Sequence, residues 1–167
     1  MKKLIFATHN ANKVKEVRNQ LMGTYEILGL NDIGFHEEII EDKKTIVENS
    51  IAKVRFVKER TGYDCFADDT GLEVNALNGK PGVFSKRFAG QNASSDDNIN
   101  KLLHMLKGKR DRSAQFKTVI SLFNNGEIQT FEGICKGNIG FKRSGNFGFG
   151  YDCLLYTSPS PRDPSIS

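Results

Sequence analysis

Three short segments carry polar and charged side chains in places that secondary-structure propensity does not require. The first, ATHNANK at residues 7–13, lies between an apolar stretch and a helical pattern. In α/β sheets, ligands gather beyond the C-terminal ends of strands, and a helix N-terminus offers unpaired N–H groups and partial positive charge to an anion. Thr8 and Asn10 add side-chain donors, and Lys13 adds a full charge in the first turn, so the segment reads as a phosphate cradle. It is not a glycine-rich nucleotide loop, because no glycine stands between Leu4 and Gln20. Alternatively, Asn10 or Asn12 only caps the helix and Lys13 is solvated.

The second segment is FADDTG, residues 66–71. Two adjacent carboxylates directly after a buried strand are costly unless paired, hydrogen-bonded or bound to a cation. A hard divalent ion such as Mg²⁺ takes carboxylate oxygens and keeps several waters, so one aspartate would hold the ion and activate a water. The same four polar and small residues would also serve as an Asx-turn. The third segment is GNFGFGYD, residues 145–152, where glycines alternate with aromatics. Phe147, Phe149 and Tyr151 are expected to be exposed, either on an edge strand or as a flat slot that stacks on a nucleobase. Asp152 would then accept from a polar base edge or ribose group.

The elements that must position these segments follow from periodicity and punctuation. Lys3–Thr8 does not alternate and reads as a strand buried on both faces. Val14, Val17 and Leu21 recur at helical spacing, which predicts a helix from about Asn12 to Met22, and Tyr25–Leu28 suits a second strand. Thr45 followed by Glu48 forms a capping box that opens a helix with a Val47, Ile51, Val54 stripe, ending near Arg60 before Gly62. Cys65–Ala67 is a buried strand. Ser95 caps a helix with Asp96 and Asp97 in its first turn and Ile99, Leu102, Leu103 and Leu106 on its apolar face, stopped by Gly108. Ala114–Phe123 and Glu127–Gly133 are strands joined through an Asn-Gly hairpin. Mixed strands and helices indicate an α/β fold with a mixed sheet, and no repeat or linker interrupts residues 1–152.

Composition narrows the function. A chain of 167 residues, 38% hydrophobic and 26% charged, suits one soluble domain. No apolar run nears the roughly 20 residues of a membrane helix, and Leu4–Ala7 is too short for the core of a secretion signal. The protein is therefore expected in the cytoplasm. Cys65, Cys135 and Cys153 are scattered, as are His9, His36 and His104, which argues against a zinc site or disulfide framework. Cys65, within an apolar run, reads as a buried small hydrophobe. The net charge is +4, with basic groupings at Lys13, Lys15 and Arg18 and at Lys107, Lys109, Arg110 and Arg112. These read as solvated helix ends or as attraction to a polyanion, which a nucleoside triphosphate satisfies as well as nucleic acid. Basic runs with interleaved aromatics are absent, so no nucleic-acid partner is expected.

ATHNANKVKEV, TIVENSIAKV, FADDTGLEVNALNGKPGVFSKRFAG and FGFGYD, in this order, resemble the Ham1-like inosine triphosphate pyrophosphatases, also called dITP/XTP pyrophosphatases. The resemblance runs from residue 1 to 152. It implies an elongated α/β fold with a long central mixed sheet flanked by helices, usually a homodimer. It implies Mg²⁺-dependent hydrolysis of ITP, dITP or XTP to the monophosphate and pyrophosphate, which cleanses the nucleotide pool. Carried over by position, Thr8, His9, Asn10, Ala11, Asn12 and Lys13 bind the triphosphate, with Lys13 also neutralising developing charge. Asp69 is general base and metal ligand, Thr70 touches substrate, and Phe149, Gly150, Tyr151 and Asp152 form the base pocket.

Two departures from the family pattern stand out. Members carry a metal-binding glutamate before the T-x-x-E-N helix. A gapless count puts Ile40 there, so Glu41, one residue on, is the candidate substitute; Glu48, better explained by the helix cap, is the alternative. After FGYD the family continues with Pro-x-Phe and later supplies a lysine and a Ser-His-Arg segment. Here Cys153 follows, and Ser-His-Arg occurs nowhere. Residues 153–167 are expected to be a non-native, adapter-derived and disordered stretch in a C-terminally truncated chain. The alternatives are a Maf-like pyrophosphatase for other modified nucleotides and a nucleotide-binding module without turnover.

Overall fold

The computed structural model describes residues 1–142, 151, 155 and 156. The chain divides into two compact units, one of Met1–Asp69 with Thr118–Glu132 and one of Thr70–Lys117 with Gly133–Ser167. Seven strands form a mixed sheet: β1 (Lys2–Phe6), β2 (Tyr25–Gly29), β3 (Cys65–Val74), β4 (Pro81–Gly82), β5 (Ser113–Asn124), β6 (Glu127–Ile139) and β7 (Leu155–Tyr156). The order is β2-β1-β3-β5-β6-β7, with β4 paired to β3 off this path. β1 runs parallel to β2 and β3, whereas β4 and β7 pair antiparallel with β3 and β6. The described helices are α1 (Ala11–Gln20), α2 (Ile46–Thr61) and α3 (Ser95–Met105).

In the first unit the sheet separates two cores, as period-2 alternation demands. Ile5 and Ala7 of β1 and Cys65 and Ala67 of β3 pack with Val54 and Val57 of α2. Leu4, Phe6 and Phe66 pack with Val14 of α1. Leu4 to Ala7 are thus all buried, as the unbroken apolar run predicts. Burial pushes the Cys65 thiol up to about 12, and its Sγ–H donates to the Val54 carbonyl at 3.3 Å. It is a core residue and not a nucleophile.

α2 departs from expectation in its rotation about its own axis. Its buried face is Ile46, Asn49, Ser50, Lys53, Val54 and Val57, rather than a Val47, Ile51, Val54 stripe. Polar residues occupy it because each has a partner. Asn49 accepts the Lys43 N–H at 2.9 Å, and the Ser50 and Ser121 hydroxyls meet at 2.7 Å. Thr45 caps α2 by accepting the Glu48 N–H, and Gly62 ends it at φ 74°. The reciprocated capping box is at α3, between Ser94 and Asp97, so the cap is Ser94 and not Ser95.

The second unit has its own core of Leu72, Val74, Leu77, Ile99, Leu102, Leu106, Ala114, Ile139 and Tyr151. Arg112, one of the basic residues expected to be solvated, is buried here. Its guanidinium donates to the carbonyls of Leu106, Ile139 and Gly140 at 2.8–3.0 Å and lies over the Phe141 ring at 4.2 Å. The β5–β6 connection is the expected hairpin. Asn125 and Gly126 both take positive φ, 53° and 81°, which a two-residue type I′ turn requires. β6 extends six residues beyond the predicted Gly133, to Ile139. Of residues 153–167, Leu155 and Tyr156 form β7, and the others lie outside the described residues.

Candidate active site

The site is built where β1 ends and β3 continues. β3 does not stop at an Asx-turn. It runs through Asp68, Asp69, Thr70 and Gly71 to Val74. An extended backbone sends adjacent side chains to opposite faces, so the two aspartates part company. Asp68 goes to the α1 face and Asp69 to the α2 face.

Each aspartate meets a different lysine. Lys13, in the first turn of α1, donates to Asp68 Oδ2 at 2.9 Å. Lys13 thus meets Asp68 and not the proposed base Asp69, because alternation along β3 turns Asp69 to the opposite face. Asp69, with a side chain only 8% exposed, has Lys53 Nζ at 4.0 Å. Lys53 comes from the buried face of α2, also donates to the Asp68 carbonyl at 2.9 Å, and is ion-paired with Glu41. Ile40 is exposed, so of the two neighbours it is Glu41 whose side chain enters this cluster. Sequence reasoning missed Lys53. The available signal was its position seven residues after Ile46 and four before Val57, on a stripe where lysine is rare.

The ATHNANK segment folds as a tight turn. Thr8 Oγ1 accepts the Asn10 N–H at 3.1 Å, and Asn10 Oδ1 accepts the N–H groups of Asn12 and Lys13 at 3.0 and 3.2 Å. Asn10 is therefore the helix cap, and it consumes two of the donors that the sequence assigned to an anion. The Val14 N–H goes to the Asn10 carbonyl. Ala11 is exposed at the helix start and keeps its N–H in the first turn, where donors have no intrahelical partner. Thr8, His9, Ala11, Arg18, Asn31 and Asp32 line a cleft of about 80 Å³. Arg18 and Asp32 are paired there at 3.0 Å. Asn12 faces solvent.

The remaining expected residues stand as follows. Thr70 is exposed on β3. Tyr151 is buried instead of exposed. Its ring belongs to the second unit's core and its hydroxyl donates to the Ser85 carbonyl at 2.7 Å. Burial pushes its phenol well above the ordinary tyrosine range. An aromatic ring among glycines can satisfy its hydroxyl on a backbone carbonyl, which lets the apolar face join a core. Phe149, Gly150 and Asp152 lie outside the described residues.

The chain as a whole resembles known proteins. The model of the Ham1 family matches residues 4–163. The dITP/XTP pyrophosphatase of Flavobacterium psychrophilum is 53% identical over 152 residues, covering 91% of this chain and 80% of the relative. That of Thermoanaerobacter pseudethanolicus is 45% identical over 157 residues, covering 92% and 79%. Among solved structures, a HAM1 protein from Coxiella burnetii superposes with a TM-score of 0.88 at 36% identity, covering 94% of this chain and 82% of that one. The Staphylococcus aureus Ham1 protein gives 0.86 at 35%, covering 99% and 83%. The expected α/β fold with a central mixed sheet is the fold of these proteins. Identity above one half, held over nine-tenths of the residues, cannot arise from a shared architecture alone: the chain belongs to the Ham1 family.

Proposed function

We propose that the chain hydrolyses non-standard purine nucleoside triphosphates, dITP, ITP and XTP, to the monophosphate and pyrophosphate with Mg²⁺. One observation carries this reading: adjacent aspartates on one strand are divided between two lysines from two helices, with a third carboxylate, Glu41, drawn to the same point. Such an array provides phosphate-binding cations beside a carboxylate that can take a proton.

The donor set fits a hard divalent ion. Glu41 and Asp69 both converge on the Lys53 ammonium, so their oxygens already surround one cationic group. Among the described residues no cluster of three or more acidic, histidine or cysteine side chains exists. Two carboxylates, with water and phosphate oxygens supplying the rest, is the usual protein share for Mg²⁺. The ion held by Glu41 and Asp69 would neutralise phosphate charge as it develops.

The chain's own groups supply the other functions. Lys13 and the turn at Thr8–Ala11 hold the triphosphate, and Asn10 keeps that turn rigid. Asp69 takes the proton of the attacking water as its oxygen bonds to the α-phosphorus. The bond to the bridging oxygen breaks, and pyrophosphate leaves. Lys53 holds Glu41 and Asp69 close together. Exclusion of adenine and guanine belongs to a pocket that hydrogen-bonds a 6-oxo edge, because an exocyclic amine leaves its polar groups unpaired. Nucleotide-pool cleansing in the cytoplasm, by a homodimer, is the role that the family resemblance supports.

Release of pyrophosphate from dITP, XTP, dGTP and ATP, with and without Mg²⁺, tests the reading. The expected result is pyrophosphate from dITP and XTP only. Equal rates on dGTP would overturn the specificity, and orthophosphate in place of pyrophosphate would overturn attack at the α-phosphorus. Asp69→Asn should retain nucleotide binding and lose turnover by at least about 10²-fold.

A further inference from the structure

Glu41 lies in a segment, residues 35–43, that contains neither helix nor strand. Something else must hold it in place. The described contacts form a closed circuit around Glu37. The His9 ring stacks on Phe35 with centroids 6.4 Å apart, and Phe35 meets Phe56 of α2 edge-on at 6.0 Å. The Arg60 guanidinium lies 3.6 Å over Phe56 and donates from Nε to Glu37 Oε2 at 2.8 Å. His9 Nε2, 3.0 Å from the Glu37 carbonyl, closes the circuit.

The partners of His9 define what its ring is asked to donate. Asn31 Nδ2 donates to the His9 carbonyl at 3.1 Å, which turns the amide oxygen of Asn31 toward His9 Nδ1, also at 3.1 Å. Both ring nitrogens therefore face oxygens that can only accept. A neutral imidazole has one N–H, so it satisfies one of them, and only the imidazolium satisfies both.

We propose that His9 is a positioning residue: as an imidazolium it donates to Asn31 and Glu37 together, clasping the Glu41-bearing segment to the phosphate-binding turn, and it releases that segment on losing a ring proton. Neighbouring charges are already matched. Arg18 of α1 is paired with Asp32 in the cleft that His9 lines, Glu37 with Arg60 of α2, and Lys13 with Asp68. His36 and Glu38, on either side of Glu37, are the other titratable groups at that point of the segment. With Arg18, Arg60 and Lys13 each paired, the two acceptors on the His9 ring decide the sign. The clasp is closed at acid pH and opens as pH rises.

The clasp stands on contacts alone, whereas its effect on catalysis rests on the proposed metal role of Glu41. Amide exchange of residues 35–43 and ¹⁵N shifts of the His9 ring, measured without nucleotide or metal, test the first. The wild type should show both ring nitrogens protonated at acid pH. Its segment should lose protection, beyond the intrinsic change in exchange, as pH rises from acid. His9→Gln should raise exchange at acid pH by at least about fivefold and abolish that pH dependence. Arg60→Gln, which opens the circuit from α2, should raise exchange less and keep the pH dependence. An unprotonated His9 nitrogen at acid pH would overturn the proposal, as would unchanged exchange in His9→Gln. If His9→Gln does not fold, unchanged exchange in Arg60→Gln overturns it. The second part predicts that His9→Gln raises the Mg²⁺ concentration for half-maximal activity by about tenfold. Altered exchange with an unmoved Mg²⁺ requirement would uphold the clasp and remove Glu41 from the metal site.

Discussion

Lys53 shows how much a single side chain can organise. It is buried, and its ammonium meets Glu41, Asp69 and the Asp68 carbonyl. Lys53→Met keeps the volume and removes the charge, leaving two carboxylates facing each other out of water. The variant should lose at least about 10²-fold in kcat/KM and about 3 kcal/mol of metal-free stability. Because a divalent cation can replace the missing ammonium, Mg²⁺ should stabilise Lys53→Met more than the wild type in denaturant unfolding. Asp64 gives a pH-dependent counterpart. Desolvation works to raise its carboxyl, but Lys58 at 3.2 Å and Lys2 at 3.4 Å outweigh it and hold it below the ordinary carboxylate range. A depressed carboxyl stabilises above its unfolded value and loses that contribution as pH falls through the folded one. Asp64→Asn should therefore cost about 0.5 kcal/mol at neutral pH, since its partners are partly exposed. The difference from wild type should shrink as pH falls below the ordinary carboxylate value of about 3.9 in an acid-unfolding series.

At the scale of elements, capping and turn chemistry were legible. Thr45 and Gly62 bound α2, and Asn-Gly makes the β5–β6 turn, because these features depend on residues within a few positions of each other. The face that α2 buries was not legible. Asn49, Ser50 and Lys53 are tolerated inside only because Lys43, Ser121 and Asp68 meet them, and two of those partners are far away in sequence. Arg112 belongs to the same class. Charge patterning placed it in solvent, but three carbonyls at the ends of α3 and β6 claim its guanidinium. Arg112→Ala should lower stability by about 2–4 kcal/mol, since it strands those carbonyls and vacates the space beside Phe141. Chemical denaturation would measure this, and a cost under about 0.5 kcal/mol would mean that water replaces the guanidinium.

For the molecule as a whole, binding at the active site appears as global stability. Any ligand that binds only the folded state adds stability in proportion to its occupancy. A non-hydrolysable dITP analogue with Mg²⁺, at about a hundredfold its Kd, should add about 2.7 kcal/mol to unfolding. The matching adenine analogue at the same concentration should add much less. The sequence by itself determined the α/β class, the order of most elements, the polar turn ahead of α1 and the adjacent acids at Asp68 and Asp69. These are set by local periodicity, caps and motif spacing, which one chain displays on its own. Tertiary structure alone decided that Lys13 belongs to Asp68, that Lys53 joins Glu41 to Asp69, and that Tyr151 is a core residue. Strand alternation and helix rotation resolve to particular faces only once the elements pack, so which charge meets which is fixed across distances that sequence spacing does not encode.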